Sequence, residues 1–180
     1  MSILMLLFHS DFAKSQANRV LVDALTPRGD VEVIDMYALY PSGEIDLDAE
    51  VARLIAAERL ILQFPVNWYA PPPLVQAWQN SVLTRMFYIH AQDEGERIRG
   101  LPLLVAATAG NTPDAYAPEG MNLFSLKELH KPLHSTAHRC AMTWSDPFLV
   151  YGANRSTPEV LAEAGLRYAA RVADWASGPR

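Results

Sequence analysis

The sequence predicts an α/β fold, a single domain built on a five-stranded parallel sheet that is doubly wound, with helices on both faces. Three observations lead there. Short, continuously apolar runs, as expected of strands covered on both faces, alternate with segments whose apolar residues recur at helical spacing. The strongest runs pass at their carboxyl ends into loops of small and polar residues, where open parallel sheets bind ligands. Right-handed crossovers between parallel strands then leave few topologies.

Size and charge narrow the class. The 180 residues suffice for one sizeable core, and with 50% apolar and 19% charged residues the chain is globular rather than disordered. A formal charge of −5 argues against nucleic acid or an anionic membrane as the main partner, so an anionic ligand must be held locally. The lone Cys140 excludes an internal disulfide and a multi-cysteine metal cage, and fits a reducing compartment. The first apolar run is too short to span a bilayer and has neither a basic lead-in nor a small-residue cleavage site, so the expected location is cytoplasmic.

Ser2 to Phe8 reads as the first strand, His9 to Lys14 as a loop, and Ser15 to Leu25 as a helix. The start of a helix offers unpaired backbone N–H groups and partial positive charge, so this stretch can cradle a phosphate without a lysine. Ser15 supplies a hydroxyl, Asn18 an amide and His9 an imidazole N–H. At this point an ordinary helix cap explains the stretch equally well.

The turn Pro27-Arg28-Gly29-Asp30 leads into a second strand, Val31 to Asp35, and then a linker with Tyr37, Tyr40, Pro41 and Gly43. Asp46 to Ala57 is helical, with Asp48 and Glu50 early as the helix dipole prefers. Arg59 to Phe64 is the third strand and Pro65 to Ala70 its loop; prolines 71–73 open a helix from Leu74 to Arg85. His90 to Gly100 reads as a solvated excursion, and Leu101 to Ala107 as the fourth strand, ending in Thr108 to Thr112. A short helix is expected over Met121 to His130, stopped by Pro132. Thr136 to Trp144 and Phe148 to Tyr151 read as the last strand material, broken at Asp146-Pro147, and Pro158 opens a final helix to about Trp175.

Three loops therefore meet beyond the strands: His9 to Asn18, Pro65 to Tyr69, and Thr108 to Tyr116. The first suits a phosphate. The second offers Trp68 and Tyr69 with the neutral amide of Asn67, which suits a flat ring. In the third, Gly110 permits close backbone approach beside Thr108 and Asn111. Phosphate at one end and a planar ring at the other describe flavin mononucleotide, FMN.

The ordered set His9, Ser15-Gln16-Ala17-Asn18, Tyr37 with Tyr40-Pro41, Phe64-Pro65-Val66-Asn67-Trp68-Tyr69, Pro72-Pro73-Leu74, Trp78, Thr108-Ala109-Gly110 and Pro132-Leu133, continuing to Tyr151-Gly152, spans almost the whole chain. It resembles the flavodoxin-like NAD(P)H:quinone oxidoreductases, and within them the ancillary proteins of glutathione-gated potassium efflux systems. The resemblance implies FMN with its phosphate at His9 and Ser15, Gln16, Ala17 and Asn18. It sets the isoalloxazine between Pro65, Val66, Asn67 and Trp68 on one side and Thr108, Ala109, Gly110 and Asn111 on the other. It also implies Tyr116 as the catalytic tyrosine near the ring, NADH or NADPH as co-substrate and ping-pong reduction of a quinone. A homodimer with its site at the subunit boundary is implied too. A membrane potassium antiporter is a further implied partner, which would hold the protein at the inner face of the membrane. The chain departs from the family where Asn111 replaces a second glycine, where Asn80 replaces an aspartate, and in the His90 to Gly100 stretch, which is not glycine-rich.

Sharper alternatives fail. His130 and His134 are separated by Pro132, HExxH is absent, and no metal site is expected. Cys140, with His138 nearby, reads as packing rather than a nucleophile. G-x-S-x-G, G-x-G-x-x-G and Walker lysine motifs are all missing. Trp78, Trp144 and Trp175 read as core or interface.

Overall fold

The computed structural model describes residues 2–179. Its strands are β1 (Ile3–Leu7), β2 (Val31–Asp35), β3 (Arg59–Pro65), β4 (Pro102–Thr108), β5 (Thr143–Trp144) and β6 (Phe148–Val150). They form one parallel sheet in the order β2-β1-β3-β4-β5, with β6 also paired to β4. The fifth position in the sheet is thus shared by two short strands, and the break between them contains Asp146-Pro147, where proline removes a ladder donor. Strand order reverses between β1 and β3, which sets the switch point where these folds bind ligands.

The helices are α1 (Ala17–Leu25), α2 (Met36–Leu39), α3 (Leu47–Ala56), α4 (Pro73–Trp78), α5 (Leu126–Leu129), α6 (Lys131–Arg139) and α7 (Pro158–Ser177). Alternate residues of a strand point to opposite faces, and both faces here are covered. Leu4, Leu6, Leu60, Leu62, Leu103 and Val105 pack on the side of Val51, Leu54, Trp78 and Leu133. Ile3, Met5, Ile61 and Leu104 pack on the side of Leu21, Leu25, Tyr168, Val172 and Trp175. Each fully buried aliphatic chain contributes about 1.5–3 kcal/mol, so the central strands anchor the fold. Helices α1 and α7 approach closely at Gly165, where a Cβ would come 2.9 Å from the Val20 side chain.

A buried carboxylate ties the first layer together. Glu50 of α3 accepts from the Tyr40 hydroxyl at 2.8 Å and the Trp78 indole at 2.9 Å, and pairs with Arg53. Its charge is fully buried and every donor facing it is used well.

Several expected boundaries move. The stretch read as strand from Thr136 is helix α6 up to Arg139, and only Thr143–Trp144 is extended. Pro132 does not stop a helix but opens α6 in its first turn, where the missing N–H was unpaired anyway, and Leu133 and Ala137 bury at i,i+4 spacing. The helix expected from Met121 shrinks to α5, which begins at a capping box between Ser125 and Glu128; residues 117–124 are irregular, with Leu123 at φ 64°. Helix α4 begins at Pro73 and continues through π-helical turns over Gln79–Leu83 and Arg85–Ile89, beyond the expected Arg85. The linker after β2 contains α2, capped by Asp35. A 3-10 turn, Phe12–Lys14, precedes α1, and another, Gly95–Ile98, buries Ile98 within the expected solvated excursion.

Candidate functional site

Ser15 is extended (φ −75°, ψ 121°), and its Oγ accepts the Asn18 backbone N–H at 3.2 Å. It therefore caps α1, as one reading of the sequence held, while the first-turn amides beyond it stay free of helical partners. The cap and the anion cradle are the same feature. His9, Asp11, Lys14, Ser15, Gln16, Ala17 and Asn18 line a pocket of about 350 Å³ with Pro65, Thr108, Ala153 and Asn154. Strand ends β1, β3 and β4 thus converge with the loop after β6.

The hydrogen bonding inside this pocket is directional. Asn18 Nδ2 donates to Thr108 Oγ1 at 3.0 Å and to Ser15 Oγ at 3.3 Å. Both amide hydrogens of Asn18 are therefore spent inside the protein, and Asn18 acts through the two hydroxyls rather than as a direct donor. A hydroxyl that accepts keeps its own hydrogen for another acceptor, so Ser15 and Thr108 each retain one. His9 Nδ1 accepts from the Asp11 amide at 3.1 Å, which leaves the ring proton on Nε2. Burial holds the His9 pKa below its ordinary value, against the opposing pull of Asp11 and Asp35, so the ring is a neutral donor. Lys14 sits on the pocket rim paired to Asp11 at 2.7 Å, so the net charge of that pair is zero.

The other two loops lie along the same sheet edge. Asn67 and Ala70 exchange backbone hydrogen bonds at 2.9 and 3.1 Å around Trp68 and Tyr69, both at positive φ (45° and 67°). This tight turn projects Trp68 outward, 92% exposed, in edge contact with Tyr69. Val66 donates to the Thr108 carbonyl at 2.8 Å and packs with Ala109, Tyr116 and Leu126. A Cβ at Gly110 would come 3.0 Å from the Asn154 side chain, so the close approach expected at this glycine is to Asn154. Asn111 accepts the Gly152 amide at 2.8 Å and turns its own amide toward Met121 Sδ at 3.3 Å. Tyr116 is buried against Tyr151, ring centroids 5.6 Å apart, and burial raises its pKa, so it stays a phenol.

Of the expected site residues, His9, Ser15, Gln16, Ala17, Asn18, Pro65 and Thr108 share the pocket; Val66, Asn67, Trp68, Ala109, Gly110, Asn111 and Tyr116 lie outside its lining. Asp11, Lys14, Ala153 and Asn154 were not anticipated. The last two follow β6, and the rule that loops at strand carboxyl ends carry sites would have found them beside Gly152, which has φ 63°.

Elsewhere, among the described residues no group of three His, Cys, Asp or Glu could hold a metal. His130 Nδ1 lies 2.6 Å from the Leu126 carbonyl, and His134 stacks on Trp144 at 4.8 Å. Cys140 ends α6, and burial pushes its thiol up to about 11, which keeps it unreactive. A second groove of about 620 Å³ lies between residues 76–88 and α6 and includes Asn80, whose side chain accepts from Gln76 at 2.7 Å. No helix among the described residues is long and apolar enough to cross a membrane.

The family model for the flavodoxin-like fold, Flavodoxin_2, matches residues 1–172. The chain belongs to this family. It is 32% identical over 180 residues to the NAD(P)H oxidoreductase YdeQ of Bacillus subtilis, covering 100% of this chain and 90% of that one. It is 34% identical over 172 residues to the glutathione-regulated potassium-efflux ancillary protein KefG of Cronobacter sakazakii, covering 96% and 92%. The crystal structure of general stress protein 14 from Treponema denticola, in complex with FMN, superposes with a TM-score of 0.82 at 27% identity over 97% of both chains. The proteins this chain is similar to thus include one crystallised with FMN and one named an uncharacterized NAD(P)H oxidoreductase.

Proposed function

We propose that the protein is an FMN-dependent oxidoreductase that takes hydride from NADH or NADPH and passes two electrons to a quinone or related electrophile in a ping-pong cycle. The observation that carries this reading is the Asn18 amide, whose two hydrogens go to Ser15 and Thr108 and so leave two hydroxyl hydrogens for an anion at the start of α1. His9, Ser15, Gln16, Ala17 and Asn18 hold the phosphate end. Pro65 to Trp68 and Thr108 to Asn111 border the flat ring. Bound there, FMN supplies the hydride and electron chemistry, while the protein supplies binding, orientation and hydrogen bonds. Tyr116, kept as a phenol by burial, would be the hydrogen-bond donor beside the ring once FMN is bound. The FMN complex of the Treponema relative and the NAD(P)H oxidoreductase name of YdeQ support the reading.

The working unit is a homodimer. The groove beside α6 and the exposed aromatic rings of Trp68 and Tyr88 support this, since apolar surface of that kind marks contact faces. Likeness to KefG favours a second reading, in which the same flavin site serves a regulatory subunit that activates a potassium/proton antiporter from the cytoplasmic side of the membrane. Turnover separates the two. FMN-loaded protein should oxidise one equivalent of NADH or NADPH as its flavin is reduced and turn over repeatedly when a quinone is supplied, and loaded protein without turnover on any quinone would favour the regulatory reading.

A further inference from the structure

Gln63 is fully buried in β3, on the strand position that pairs with Leu7 and Ala106. An apolar side chain would suit folding there. Instead Gln63 leaves its Oε1 buried with no hydrogen-bond partner among the described residues, a cost to stability that packing does not require. Its other end is engaged: Nε2 donates to the Asn18 backbone carbonyl at 3.0 Å and lies 3.5 Å from Asn18 Oδ1.

A primary amide can turn over and exchange its oxygen for its NH₂ at almost no change in shape. For Asn18 the exchange matters. With Oδ1 toward Ser15 and Thr108, both hydroxyls would donate to Asn18 and have no hydrogen left for a ligand. The Asn18 backbone carbonyl is fixed in α1 and can only accept, so it selects the Gln63 orientation with Nε2 facing it. That donor, in turn, favours the Asn18 orientation with Oδ1 on the Gln63 side and Nδ2 on the Ser15 and Thr108 side.

We propose that Gln63 is a positioning residue for the anion pocket, holding the Asn18 amide in the orientation that leaves the Ser15 and Thr108 hydroxyl hydrogens free for phosphate oxygens. The inference rests on the reading of that pocket as the FMN phosphate site. It acts on the phosphate end alone, so riboflavin, which has the same ring and no phosphate, is the control.

The test compares FMN and riboflavin affinities, by quenching of flavin fluorescence, in the wild-type chain and in Gln63→Met, with the melting temperature of each ligand-free protein. The expected result is a loss of tenfold or more in FMN affinity, riboflavin affinity within twofold, and a melting temperature equal to or above wild type, because the orphaned oxygen is gone. The loss should shrink when Gln63→Met is combined with Thr108→Val, since the two act on one relay. Gln63→Leu removes both the donor and the orphaned oxygen, and carries the same comparison if the methionine variant does not fold. Folded variants that keep FMN affinity within twofold, or lose FMN and riboflavin equally, overturn the proposal while leaving the FMN reading in place. Wild-type protein with no preference for FMN over riboflavin overturns both.

Discussion

Replacing Ser15 with aspartate separates the two jobs of that residue. Aspartate caps helices as well as serine does, so the bond to the Asn18 amide survives and stability should hold. The ligand side changes in two ways. The hydroxyl donor is lost, and a hydrogen bond to a charged group contributes about 1.5–3 kcal/mol. A carboxylate is added beside a phosphomonoester that carries close to two negative charges. At a separation of about 4 Å, the repulsion per unit charge is about 1 kcal/mol at the dielectric of water and about 4 kcal/mol at an effective value of 20. Even the low ends, about 1.5 kcal/mol for the donor and about 2 kcal/mol for two charges, sum to about 3.5 kcal/mol, or roughly a 300-fold weaker complex. Titration of the ligand-free variant with FMN, followed by flavin fluorescence and paired with a thermal melt, measures both effects. An unchanged FMN affinity in a folded Ser15→Asp protein would refute the assignment of Ser15 to the phosphate.

Four further outcomes follow from the structure. Glu50→Ala strips the buried acceptor from Tyr40, Trp78 and Arg53, and should lower unfolding free energy by at least about 3 kcal/mol in a denaturant titration. His9 and His130 are both held below the ordinary value of 6.5, chiefly by burial, so the unfolded chain binds more protons in mild acid. Their contribution to stability is full above about 6.5 and is lost as pH falls through the lower folded values; His130→Gln should flatten the fall in melting temperature measured between pH 7 and 5. A Cβ at Gly120 would sit 2.3 Å from the Asp114 carbonyl and 2.5 Å from that of Ala115, so Gly120→Ala must displace the loop beside Tyr116 and should alter turnover more than FMN affinity. Cys140 should resist a thiol reagent at pH 7.5 in the folded protein and react fully once the chain is unfolded, as counted by the chromophore released.

The parts of the fold carried by short-range pattern were legible in the sequence. β1 is an unbroken apolar run because both faces of the sheet are covered, β4 departs from one only at its last residue, Thr108, and β3 only at Arg59 and Gln63. The errors cluster at proline. Pro132 is compatible both with ending one helix and with opening the next, and only the burial of Leu133 and Ala137 against the sheet decides between them. The pocket lining from the first loop was legible because a helix start has one chemistry wherever it occurs. The roles within it were not. Asn18 has the donors to bind an anion directly, and nothing local in the sequence says that Thr108, ninety residues away, takes one of them. Gln63 is invisible for the same reason: within an apolar strand a lone glutamine carries no periodic signal, and its partner is set by the register of β3 against α1. The turn at Trp68 and Tyr69 was hidden in another way, since two successive positive φ angles at aromatic residues are a backbone conformation that these residue types do not announce.

The central claim is that the loops at the carboxyl edge of the sheet hold FMN, phosphate end at Ser15 and Thr108. The most direct measurement is the visible spectrum of the purified protein, followed by titration of the flavin-free protein with FMN and with riboflavin. A protein with FMN in these loops should be yellow as purified, take up one FMN per chain and bind FMN more tightly than riboflavin. A colourless protein that takes up no FMN on titration would contradict it.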